Sequence, residues 1–121
     1  MDIFRFRKFP VYLLAREFRE ELKKFTRINF PTEEKFVLRA QLWRALDSIA
    51  LNIAEGSDHY SDVEFGKFLN TALTSLNEVV ACLDCAFDDG YLNEGELNYF
   101  VNKAEDIARQ LKAFSSKLRR K

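Results

Sequence analysis

The stretch FGKFLNTALTSLNEVVACLDCA, Phe65–Ala86, carries apolar residues at Phe65, Leu69, Ala72, Leu76, Val79, Leu83 and Ala86. Steps of four and three residues return to one face of an α-helix, whereas a strand would need alternation by two. The repeat runs without a slip, so the segment reads as one long amphipathic helix. Ser61 followed by Glu64 is a capping box that opens it, and Gly90 stops it.

The same spacing continues on both sides. Asn93 with Glu96 caps a following helix whose stripe is Leu97, Phe100, Ala104, Ile107, Leu111, Phe114 and Leu118. Upstream, a helix is predicted from near Pro10, with Val11, Leu14, Phe18, Leu22 and Phe25 on one face, ending before Asn29-Phe30-Pro31. Thr32 then reads as an N-cap with Glu33 and Glu34 in the first turn. The helix it opens runs to Gly56 as a C′ residue, with a stripe of Leu38, Leu42, Ala45, Ile49 and Ile53. Four helices joined by short connections predict an all-α, antiparallel up-down-up-down four-helix bundle, one domain over residues 1–121.

The second helix has more apolar surface than one flank can bury. From Phe36 to Ala54 its only charges are Arg39, Arg44 and Asp47, and Trp43, Leu46, Ala50 and Leu51 face away from the main stripe. Between Lys67 and Asp84 the third helix carries a single charge, Glu78. This surplus predicts self-association. Beside the core stripe, Gln41, Arg44, Ser48, Asn52 and Glu55 fall in one narrow sector of the second helix. Ser75 and Glu78 stand one turn apart on the third. These seven residues are expected to form a polar seam that fixes register and assembly, with Arg44 to Glu78 as its ion pair.

Charge is zero overall but segregated: residues 1–27 sum to +4, residues 28–99 to −9 and residues 100–121 to +5. With the first and last helices adjacent, the basic segments would share one side of the bundle. That side would hold Arg5, Arg7, Lys8, Lys112, Lys117, Arg119, Arg120 and Lys121, together with Arg16, Lys23 and Lys24. Two readings follow. The basic side attracts the phosphate backbone of RNA or DNA, or it meets the acidic side of a second copy in a head-to-tail ring.

Several residues resemble those of a known family: Phe30-Pro31, Gln41-Leu42, Arg44-Ala45, Ser48-Ile49, Asn52-Ile53-Ala54-Glu55-Gly56, Phe65 with Phe68-Leu69, and Ser75 with Glu78. Together they are similar to the four-helix bundle proteins encoded in intervening sequences of bacterial 23S ribosomal RNA genes. The NIAEG run is the most specific element, and the likeness spans nearly the whole chain. The resemblance implies a homopentamer of antiparallel bundles without established enzymatic activity. A related branch includes the accessory protein of diversity-generating retroelements, a basic pentamer that binds nucleic acid and a reverse transcriptase. Trp43, the Asp58-His59-Tyr60 stretch and Thr74 depart from the family pattern, the first two at places where it often has arginine.

No catalytic, cofactor or metal site is expected. Cys82-Leu83-Asp84-Cys85 is a C-x-x-C inside a predicted helix, with no second pair for zinc and no preceding strand for thioredoxin-like chemistry, so two half-buried cysteines are the expectation. His59 is the single histidine, which leaves a di-iron bundle without its ligands. P-loop, nucleophile-elbow and dinucleotide patterns are missing, and no small-molecule substrate is suggested. No apolar run approaches a membrane span, and MDIFRFRKF lacks the apolar core of a secretory signal. Two cysteines suit a reducing compartment, so a cytoplasmic, non-enzymatic, self-associating module is expected.

Overall fold

A computed structural model describes residues 2–33, 37–59 and 61–119. After a 3-10 turn at Arg5–Lys8 come four helices: α1 (Pro10–Asn29), α2 (Leu38–Gly56), α3 (Asp62–Asp88) and α4 (Glu94–Arg119). Consecutive helices pack on each other and α4 closes against α1, while the diagonal pairs stay apart. Side-chain contacts fix the directions. Trp43 reaches Thr26, Ser48 meets Ser75, and Phe9, just before the first helix, and Phe25 near its end meet Phe114 and Phe100 of the last. Later residues of one helix thus face earlier residues of the next, so the expected antiparallel up-down-up-down bundle is the fold.

The core follows the sequence stripes. Every heptad position of α3 from Phe65 to Ala86 is buried, as are Leu42, Ala45, Ile49 and Ile53 of α2 and Phe100, Ala104, Ile107, Leu111 and Leu118 of α4. On α1 Val11, Phe18 and Leu22 are buried, and Leu14 and Phe25 half-buried. At the head of α4 the capping box is complete: Glu96 N–H donates to Asn93 Oδ1 at 2.8 Å, and Asn93 N–H donates to Glu96 Oε1 at 2.9 Å. At α3 only half of it forms. Glu64 N–H donates to Ser61 Oγ at 3.1 Å, while the Glu64 carboxylate is taken by Lys67 at 3.2 Å. Gly90, with φ +83°, makes the left-handed turn that a side chain resists.

Two boundaries differ from expectation. α2 begins at Leu38 rather than after Thr32. Thr32 and Glu33 form a short 3-10 turn, and Val37 offers no side-chain cap; Glu34 lies outside the described residues. Gly56 is the last residue of α2 rather than a left-handed C′ residue, since Gly90 alone has positive φ among the described residues. Its role is steric. A Cβ on Gly56 would stand 2.6 Å from Phe68 Cβ and 2.9 Å from Phe65 Cδ1, so its bare backbone lets α2 and α3 close on each other. None of the described helices is long and apolar enough to cross a membrane.

Candidate assembly surface

The seam predicted on α2 and α3 forms only at its centre. Ser75 Oγ donates to Ser48 Oγ at 2.8 Å, and Asn52 Nδ2 donates to the Ser48 carbonyl at 2.8 Å and to Ser48 Oγ at 3.0 Å. Three half-buried polar side chains thereby satisfy one another where two helices approach too closely for large ones. The outer members behave differently. Gln41, Arg44, Glu55 and Glu78 are exposed, and no ion pair joins Arg44 to Glu78. The expected intrachain pair is therefore corrected: both groups keep their hydration on the surface, which an exposed pair of long side chains gains little by giving up.

A second correction concerns the apolar surplus of α2. Leu46 is fully buried, Ala50 is nearly so, and Trp43 is half-buried against α1. Lying between α1 and α3, α2 buries two flanks within the monomer. Leu51 alone of the four expected residues stays outside, 64% exposed. It stands amid Arg44, Ser48 and Glu55 on α2, beside the α3 face whose exposed positions from Asn70 to Ala81 are Asn70, Thr71, Thr74, Asn77, Glu78 and Ala81. Leu51 is thus an exposed leucine beside a stretch of α3 whose outward residues, Glu78 apart, are small and uncharged, with Arg44 and Glu55 flanking it on α2.

On its other flank α2 meets α1 through charge. Asp47 Oδ1 accepts from Arg19 Nε at 2.6 Å and from Lys23 Nζ at 2.7 Å. Burial pushes the Asp47 carboxyl up, but the hydrogen bonds from Lys23 and Arg19 and their charges outweigh this and hold it below the ordinary carboxylate range. Trp43 Nε1 donates to Thr26 Oγ1 at 2.8 Å. Around the same indole ring stand Lys23 at 5.0 Å and Arg27 and Arg39 each at 5.2 Å from its centroid. Sequence reasoning missed this cluster because Arg39 sits in the acidic middle segment and Arg27 at the end of α1. Only antiparallel packing brings them together.

The basic segments lie on the adjacent helices α1 and α4, and Arg5, Arg7, Lys8, Lys112, Lys117 and Arg119 fall toward one end of that side. α1 starts and α4 finishes there, beside the junction of α2 and α3. Their cations are dispersed. Arg5 donates to the Ser57 carbonyl at 2.9 Å and lies over Phe9 and Phe65. Lys8 pairs with Asp2 at 3.4 Å, Arg7 is exposed, Lys112 and Arg119 border a groove between α3 and α4, and Lys117 borders a smaller one beside Phe9. Arg16 lies over Tyr12, Lys24 is exposed, and Lys23 is buried at Asp47. Arg120 and Lys121 lie outside the described residues. Of the two cysteines, Cys82 is buried and Cys85 exposed, which corrects the half-buried expectation. Burial, then Glu78 and Cys85, push the Cys82 thiol up, away from thiolate reactivity.

Residues 7–113 match the family described as 23S rRNA-intervening sequence protein. The chain belongs to that family. Among solved structures it is similar to a protein of unknown function from the S23 ribosomal protein family of Bacteroides thetaiotaomicron. The two are 26% identical with a TM-score of 0.75, over 87% of this chain and 97% of the other. No curated protein matches the chain. In this 23S rRNA-intervening sequence family member the NIAEG run now has a physical reading. Asn52 locks to Ser48, Ile53 is core, and Gly56 admits Phe68, leaving Glu55 as the one residue of the run that points to solvent without an internal task.

Proposed function

We propose that the protein is a non-catalytic, self-associating bundle that serves as a binding or scaffolding module, assembled through the outward face of α2 and α3. The observation that carries this is Leu51, 64% exposed beside the outward residues of α3 from Asn70 to Ala81, of which Glu78 alone is charged. Five copies is the number the family resemblance implies. Arg44 and Glu78, in no ion pair among the described residues, are then available to pair between copies, which assigns the predicted seam to register between subunits. Light scattering on Leu51→Glu tests it: the oligomer mass falls to that of a smaller species while helicity is retained. An unchanged mass refutes it.

A second reading, a nucleic-acid-binding accessory protein, is favoured by a different place from the one the sequence suggested. Arg27 and Arg39 at Trp43 form no ion pair among the described residues, and Arg19 and Lys23 adjoin them, with Asp47 as the acid they contact. Cations beside a ring suit phosphate contact and base stacking. If this reading holds, Arg27→Ala with Arg39→Ala weakens binding of a short structured RNA and flattens its salt dependence more than neutralising Lys112, Lys117 and Arg119 does.

A further inference from the structure

A groove of about 770 Å³ runs between the first half of α3 and the last half of α4. Its length follows α3 from Asp62 to Leu73, roughly 17 Å or three helical turns. Leu69, Leu73 and Leu111 form an apolar floor. Along the α4 rim stand Lys112 and Arg119, two turns apart, exposed and in no ion pair among the described residues. The α3 rim carries Asp62, Val63, 70% exposed, Asn70, and Lys67, which pairs with Glu64, so the groove's charge is net positive.

Gly66 lies in this groove, and the fold itself gives no reason for a glycine there. Its φ is not positive, and a Cβ would meet no atom of another element within 4 Å, in contrast to Gly56. A glycine inside a helix weakens it relative to alanine, so the open space at Gly66 is kept at a cost to the free bundle. An open, straight, apolar channel three turns long has the shape that receives a helix, whereas small ligands are mostly enclosed by their sites.

We propose that this groove binds a helix of a partner protein that has an apolar face and acidic residues along one flank. The apolar face lies over Gly66, Leu73 and Val63, and the acids, one or two turns apart, meet Lys112 and Arg119. The groove shares Asn70 and Thr71 with the face proposed for self-assembly but not Leu51, so peptide binding at Gly66 and oligomer mass at Leu51 are read as separate outcomes.

The test is fluorescence anisotropy with a synthetic helical peptide of roughly 14 residues, about 21 Å long, with a leucine stripe and one glutamate flank. A copy with lysine for glutamate is the control. The full-length protein should bind the acidic peptide, and Gly66→Leu should weaken it about tenfold or more without lowering the melting temperature, since the added side chain fills empty space. Lys112→Glu with Arg119→Glu should reverse the preference toward the lysine peptide. Equal binding of both peptides, or indifference to Gly66→Leu, overturns the proposal. Tighter, groove-dependent binding of laurate or of an RNA hairpin also overturns it. A change in oligomer mass on Gly66→Leu would place a second copy in the groove and overturn it as well.

Discussion

The two flanks of α2 are held by opposite means. Toward α3 the side chains are small: Gly56 takes the Phe68 Cβ, and Ser48 meets Ser75, so the two backbones run close along much of their length. Toward α1 they are large and charged: Trp43, Asp47, Arg19 and Lys23 span a wider gap with directed bonds. Close packing tolerates no added atoms, and a charged bridge tolerates no missing ones. The difference predicts which kind of substitution each flank resists.

The largest effect is expected at Gly56. Gly56→Ala puts a methyl group against Phe68 Cβ, close to the α3 backbone, and forces the helices apart at a cost of about 3 kcal/mol, read as a fall in denaturant midpoint. A cost below about 0.5 kcal/mol would remove steric closeness as the cause of the glycine.

Asp47→Ala comes next. It leaves Lys23, 8% exposed, without its carboxylate, and about 1–2 kcal/mol should be lost, a figure reduced because the Asp47 side chain is 39% exposed. Since Asp47 has a lowered folded pKa, its contribution is complete above the ordinary carboxylate range and disappears as the pH falls through the lowered value. Urea titrations of wild type and Asp47→Ala should therefore converge in acid and diverge toward neutrality. Divergence that persists at the lowest pH would contradict the ion-pair account.

Ser75→Ala removes one hydroxyl from the α2–α3 centre and should cost about 1 kcal/mol or less, because Asn52 still donates to Ser48. The smallest effect is expected for Arg44→Ala, within about 0.5 kcal/mol for the bundle itself, since Arg44 is exposed and in no ion pair among the described residues. A larger loss in a dissociated sample would restore the intrachain Arg44–Glu78 pair.

These expectations also show how far the sequence could be read. The stripes of α3 and α4, the Ser61 N-cap and the Asn93–Glu96 capping box were legible because periodicity and caps are local properties. The start of α2 was not, since Thr32 satisfies a local rule that the 3-10 turn at Thr32–Glu33 supersedes. The helical wheel placed Leu46, Ala50 and Trp43 outside because it treats a helix as having one partner, whereas α2 has two. Segment charges pointed to the adjacent helices α1 and α4, but only antiparallel packing assembles the separate cationic cluster on Trp43 from residues that are far apart in sequence. Of the candidate seam, Ser48, Asn52 and Ser75 come together, and Gln41, Arg44, Glu55 and Glu78 stay at the surface.

The central claim is that the outward face of α2 and α3 is covered by another copy. Molar mass by light scattering at low and high salt, for wild type beside Leu51→Glu, tests it most directly. A multiple of the 14.2 kDa chain that persists in high salt and drops in the variant is the predicted result. A wild-type mass equal to a single chain, or a multimer indifferent to Leu51→Glu, would contradict it.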